Sequence, residues 1–236
     1  MKTITRSIVM LFGLVALLSG VHHAAAASLA VKPDAALRQA FPDLKPDSIR
    51  EFDVPGLFEV VAGPNIYYFF PEKDYLFVGE IYTKDRQSLT AARKRELSAK
   101  LVKSLPLEKG VKIGSGKHTV IEFTDPDCPY CRKASDILRK KKDTTRYVFF
   151  TPLAHPQAIN KIYYILNAKD KATAYEEMMR GDNPPKNATY GEEVKSLAQE
   201  HINLAKKVGV QGTPTFFING KEVVGADEKK IDELLK

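Results

Sequence analysis

The chain holds two cysteines in 236 residues, and they stand together as Cys128-Pro129-Tyr130-Cys131. An apolar run at 119–124 predicts a buried strand before the pair, and 132–142 predicts a helix directly after it. A CxxC set between a strand and a helix is a redox arrangement. The first thiol then lies at a helix start, where unpaired backbone N–H groups and the positive dipole end favour a thiolate. The thiolate is the nucleophile of disulfide exchange, and such sites lower a cysteine pKa from about 8.5 toward about 7 or below. Pro129 suits the first helical turn, where its missing N–H would be unpaired anyway. Cys131, one turn on, is placed to release a trapped mixed disulfide. Cys128 is expected to be the attacking and more exposed sulfur.

Two other uses of a cysteine pair fit less well. A structural zinc site needs two further ligands. No second CxxC exists, and His118, His155 and His201 show no ligand spacing. No metal or cofactor is therefore expected. A purely structural disulfide between such close residues closes little loop entropy and stabilises little.

Residues 1–26 read as a secretory signal. Lys2 and Arg6 give a positive start, 8–18 is an apolar core too short to span a bilayer comfortably, and Ala24-Ala25-Ala26 fits a small-residue cleavage site. Export places the mature chain in an oxidising compartment. A protein of this size has core enough without disulfide staples, so the single pair reads as a tool. Loss of Lys2 and Arg6 lowers the formal charge of +7 by two, to a mild +5. The clusters Arg93-Lys94-Arg95 and Arg139-Lys140-Lys141-Lys142 alternate with apolar residues and read as solvated helix faces. Nucleic-acid binding is not expected.

The remainder divides in two. In 27–88 a short helix at 35–41 precedes strand-like runs at 48–52, 57–62, 66–70, 75–78 and 81–83. Pro55-Gly56, Gly63-Pro64-Asn65 and Pro71-Glu72-Lys73-Asp74 punctuate them as turns. The uncharged segment Ile66-Tyr67-Tyr68-Phe69-Phe70 reads as an unprotected sheet edge, suited to a two-fold partner. A helix at 89–105 carries a Leu97, Leu101, Leu105 stripe and serves as a partly buried connector, ended by Pro106. The second module starts near 112. It has strands at 119–124 and 146–150, helices at 159–166, 173–179 and 192–208, a hairpin of 215–218 and 222–224 around Asn219-Gly220, and a closing helix at 228–235. That is a thioredoxin-like order with a helical insertion at about 156–207.

At this point the chain resembles the periplasmic disulfide isomerases of the DsbC/DsbG family. The resemblance is carried by Val54-Pro55-Gly56-Leu57-Phe58-Glu59-Val60 and Tyr75-Leu76-Phe77-Val78-Gly79-Glu80-Ile81-Tyr82 in the first module. In the second it is carried by Lys117-His118, Phe123-Thr124-Asp125, Asn167-Ala168-Lys169-Asp170-Lys171 and Val208-Gly209-Val210-Gln211-Gly212-Thr213-Pro214-Thr215. It implies an α+β, cystatin-like dimerisation domain (27–88), a linker helix and hinge (89–111), and an α/β thioredoxin-like catalytic domain (112–236). It also implies a V-shaped homodimer whose two sites face a cleft for misfolded disulfide-containing proteins, and a membrane thiol reductase as electron donor. The implied location is the periplasm, and the implied activity is protein disulfide isomerase and reductase.

The resemblance places Thr213-Pro214 in a cis-proline loop beside the CxxC. Pro214 has no N–H and would leave neighbouring backbone groups free for an extended substrate. Glu122, six positions before Cys128, matches the buried acid of thioredoxin and the DsbA oxidases; it would relay the proton of the resolving thiol, unless it faces solvent. Two features depart from the best-known isomerases. No second disulfide staples the insertion, and Pro129-Tyr130 replaces their Gly-Tyr. The dipeptide helps to set redox poise. It keeps a net thiol oxidase open beside the isomerase, and the large first module keeps open a thiol-independent chaperone.

Overall fold

The computed structural model describes residues 32–236; the expected leader and residues 27–31 lie outside the described residues. Helix α1, Pro33–Ala40, starts on a proline and buries Leu37 against Val60 and Phe69. Strands β1 (Ser48–Glu51), β2 (Phe58–Ala62), β3 (Asn65–Phe70) and β4 (Tyr75–Val78) form one antiparallel sheet in chain order. The expected strand at 81–83 is reduced to a single bridge, Tyr82 to Ser88.

Segment 66–70 is not the edge that its lack of charge suggested. It pairs with β2 through Val60 and Tyr67 and with β4 through Tyr68 and Phe77. An interior strand has its backbone satisfied on both sides, so it needs no charge to guard it. The edges are β1 and β4, and β4 is the apolar one, with Tyr75, Phe77 and Val78 exposed. With Val54, Leu57 and Phe70 they line an apolar groove of about 610 Å³.

Helix α2, Leu89–Val102, begins where the Ser88 hydroxyl accepts the Ala91 N–H at 2.9 Å. Its leucine stripe serves two cores. Leu97 packs with Val61, Ile66 and Tyr68 of the first sheet. Leu101 and Leu105 pack with Phe123, Phe149 and Val208 of the second module. The connector is thus fastened at both ends. The Ser98 hydroxyl donates to the Val208 carbonyl at 2.6 Å, beside Gly209, which ends its helix at φ 88°.

The second sheet has the order β5-β7-β6-β8-β9. The strands are β5 (Val111–Ile113), β6 (His118–Thr124), β7 (Thr144–Phe150), β8 (Thr215–Ile218) and β9 (Lys221–Val224). Only β6 and β7 run parallel. Helix α3, Pro129–Arg139, makes the crossover between them and buries Cys131, Ala134, Ile137 and Leu138. The spacing of those residues is one helix face. The insertion comprises α4 (Ile159–Asn167), α5 (Lys171–Arg180) and α6 (Glu192–Val208), and α7 (Glu228–Leu234) closes the chain. The β8–β9 hairpin turns on Asn219 and Gly220, both at positive φ, as an Asn-Gly turn requires. Among the described residues no helix is long and apolar enough to cross a membrane.

Candidate active site

Strand β6 delivers the chain to the site through Asp125, Pro126 and Asp127, and α3 begins at once. Cys128 is the residue that caps α3, with extended backbone, and Pro129 takes the first helical position. Both thiols are free. The Cys128 sulfur donates to the Thr213 carbonyl at 3.5 Å. Its N–H donates to the Asp125 carbonyl at 3.1 Å. Cys128 is 7% exposed and Cys131 is sealed completely, while Tyr130 between them is 66% exposed. Cys131 lies in a core with Phe150, Ile162 and Tyr175, and its sulfur accepts the Asp125 N–H at 3.4 Å. Burial pushes the Cys131 thiol far above its ordinary value, against the pull of that hydrogen bond.

Thr213 and Pro214 precede β8, and the bond between them is cis. The β6–β8 register, Phe123 opposite Thr215, brings this loop to the end of β6 that carries the cysteines. Sequence elements 85 residues apart thus meet at one sulfur.

Glu122 does not face solvent; it is fully buried. Its partners are residues that the sequence did not single out. Arg146 of β7 donates to Oε2 at 2.8 and 3.2 Å, and the Tyr175 hydroxyl of α5 donates to Oε1 at 2.9 Å. Arg146 also donates to the Tyr175 oxygen at 2.7 Å. Burial works against the Arg146 charge, yet the Glu122 carboxylate holds it above its ordinary value. The acid is therefore one corner of a buried, satisfied network, which Arg146 extends to the partly exposed Glu176 at 3.6 Å.

A second polar group stands nearer the cysteines. The buried Asp125 carboxyl meets the His155 ring at 2.9 Å, and Asp127 is bridged by Arg132 at 3.2 Å and Lys161 at 3.1 Å. No spacing along the chain anticipates the His155 and Lys161 pairings. The parallel register that sets Thr124 beside Phe150 explains them, because it lays the segment after β7 against the segment after β6.

Two family models match the chain: a disulfide bond isomerase N-terminal domain over residues 22–91 and a thioredoxin-like domain over 108–236. A probable thiol:disulfide interchange protein DsbC of Bordetella pertussis is 30% identical over 205 residues, covering 78% of this chain and 72% of that protein. The chain belongs to the DsbC family of thiol:disulfide interchange proteins. The DsbC homologue of Bordetella avium is 31% identical over 180 residues, covering 75% of this chain; the match spans 63% of that protein's length. Among solved structures, a disulfide interchange protein from Neisseria gonorrhoeae is 30% identical with a TM-score of 0.50, covering 56% of this chain and 96% of that one. In DsbC-family terms the first sheet is the isomerase N-terminal domain, and the CPYC site belongs to the thioredoxin-like domain. The chain is thus a thiol:disulfide oxidoreductase of mixed α/β architecture.

Proposed function

We propose that this protein reshuffles wrong disulfides in exported proteins of the periplasm, with Cys128 as nucleophile and Cys131 as resolving thiol. The supporting observation is the asymmetry of the pair. One sulfur lies at the helix start, within reach of the Thr213 carbonyl; the other is sealed behind it.

Cys128 attacks as its thiolate, the reactive form of any cysteine. A bond forms between its sulfur and one substrate sulfur, and the substrate S–S bond breaks, releasing a substrate thiolate. That thiolate can attack another disulfide of the same substrate; a returning thiolate then frees Cys128, and no net electrons move. Alternatively Cys131 loses its proton and attacks the Cys128 sulfur. The Cys128–Cys131 disulfide forms, the substrate leaves reduced, and two electrons from a thiol reductase, proposed to lie in the membrane, restore the enzyme. Pro214 and Thr213 flank the attacking sulfur and guide an extended substrate, while Pro129 and Tyr130 tune the pair. Glu122 serves as a positioning residue, held by Arg146 and by Tyr175, which packs with Cys131.

Refolding of a scrambled multi-disulfide substrate tests the reading. Cys128→Ser is expected to abolish the gain in native activity; equal recovery by both proteins would overturn it. A mostly oxidised Cys128–Cys131 pair in cells would instead assign a net oxidant.

The same reading includes a homodimer built through the N-terminal domain, with domain limits of about 27–88, 89–111 and 112–236. The exposed β4 edge supports it, since a row of unpaired backbone groups flanked by Tyr75, Phe77 and Val78 suits two-fold pairing. Phe77→Lys is expected to yield a monomer by sedimentation that keeps simple reductase activity and loses isomerase activity. A dimer unaffected by that charge would move the interface elsewhere. The apolar groove beside β4 also favours chaperone activity, read as aggregation suppression that survives Cys128→Ser.

A further inference from the structure

Asp125 contacts both cysteines. Its N–H donates to the Cys131 sulfur at 3.4 Å, and its carbonyl accepts the Cys128 N–H at 3.1 Å. Its carboxyl, with no exposed surface, uses Oδ1 to accept the Asp127 N–H at 2.9 Å. Oδ2 meets Nδ1 of His155 at 2.9 Å. His155 sits in the turn after β7 and is 30% exposed. The neighbouring cations are engaged elsewhere. Lys161 of α4 and Arg132 of α3 both pair with Asp127, and Arg132 also donates to the Pro126 carbonyl at 2.9 Å. Deeper in the sheet, Arg146 belongs to Glu122. Among the described residues, His155 is therefore the one side chain that pairs with the buried Asp125 carboxyl.

Resting on the thiol–disulfide reading above, we propose that His155 is a positioning residue for the Cys128–Cys131 pair. Its ring, when protonated, balances the Asp125 carboxylate, and the hydrogen bond fixes the turn whose backbone contacts both cysteines. A buried carboxylate without a partner is costly. It also puts a negative charge on the residue whose backbone contacts both cysteines, and a like charge disfavours a thiolate. An imidazolium cancels that field, and histidine is the side-chain type that gains and loses charge near neutral pH. His155 forms no bond with substrate. It acts through Asp125 alone, and it couples the nucleophile to the acidity of the surroundings.

The wild-type protein supplies the first test, because coupling between two sites is reciprocal. The His155 ring resonances, assigned by their absence in His155→Gln, are titrated in reduced and in oxidised protein. The reduced protein is expected to hold the ring charged to higher pH than the oxidised one. Superimposable curves would overturn the proposal. The second test is the rate of Cys128 alkylation by iodoacetamide across pH. At about pH 6, His155→Gln and His155→Ala are expected to react about threefold more slowly than wild type, as a nearby charge of this kind implies. The pH step belonging to His155 should vanish in both. Rates unchanged in both variants would overturn the proposal as well. Neither readout needs isomerase activity. Failure of the scrambled-substrate assay with both effects present would therefore count against the proposed function and leave the role of His155 standing.

Discussion

Glu59 of β2 and Glu122 of β6 are both strand glutamates buried to within 1% of full enclosure, and each is held by arginine. Their settings differ in where the partners lead. Glu59 accepts from Arg50 at 2.7 and 2.6 Å and from Arg93 of α2 at 2.9 Å. Arg50 is half-exposed, and Arg93 also reaches Glu96 at 2.7 Å on the surface. Burial opposes the Glu59 charge, but the two guanidinium groups hold its carboxyl below the ordinary range. Glu122 has Arg146 and Tyr175, both inside the core. The first acid is a clasp between sheet and connector that opens to water. The second is enclosed with its own partners, and only the 3.6 Å contact of Arg146 with Glu176 leads outward from them. A charge with a route to solvent can be released at modest cost, and a sealed one cannot.

The comparison breaks most readily at Arg146. Arg146→Met strands Glu122 with Tyr175 alone, and is expected to cost about 3–5 kcal/mol in urea unfolding. Glu122→Leu combined with Arg146→Met should recover most of that loss. A cost under about 1 kcal/mol for the single change would show that water reaches this site after all.

Next comes acidification. Phe150 N–H donates to His201 Nδ1 at 3.2 Å, and Nε2 meets the Lys109 carbonyl at 2.9 Å, so the ring is neutral with its proton on Nε2. Burial pushes His201 from 6.5 down to about 4. The unfolded chain binds this proton first. The stabilisation is present above about pH 6.5 and is lost as pH falls toward 4, on the order of 3 kcal/mol in all. Glu59, with its lowered carboxyl, loses its contribution only at lower pH. The catalytic domain should therefore weaken before the N-terminal sheet, seen as a drop in urea midpoint between about pH 7 and 4.5 that His201→Gln removes. A drop that persists in the variant would place the acid sensitivity in another group.

Glu59→Gln should cost about 1 kcal/mol, less at high salt, because Arg50 and Arg93 can turn outward. The smallest effect is expected from Ser98→Ala. Loss of one part-buried hydrogen bond from α2 to the end of α6 is worth about 0.5 kcal/mol, read as faster proteolysis near Ser104. If Ser98→Ala exceeds Glu59→Gln, the connector is clasped from the catalytic side instead.

What could be read from the sequence was local. The CPYC turn, the Thr213-Pro214 loop and the Asn219-Gly220 hairpin each carry their geometry in adjacent residues. The start of α2 at Ser88 and the end of α6 at Gly209 are likewise local capping events. What escaped depends on neighbours distant in the chain. The uncharged run 66–70 has the composition of an open edge and of a central strand alike, and only the presence of β4 decides between them. Strand β5, three residues long, gives no periodicity to read. Spacing put an acid at 122, but its fate was set by Arg146, 24 residues away across a strand pairing. His155 reaches Asp125 only because two parallel strands end together.

The recess of Cys128 bears on how this protein would tell friend from foe. With little of its surface open beside the prominent Tyr130, that residue cannot be met by a disulfide locked inside a finished, compact partner. By the proposed mechanism, only a loose stretch of chain, able to lie along the Thr213 loop, would bring its sulfurs within range. On the proposed function, correctly folded clients are spared by sheer inaccessibility. The shape of the mouth acts as a proofreader that needs no recognition motif at all.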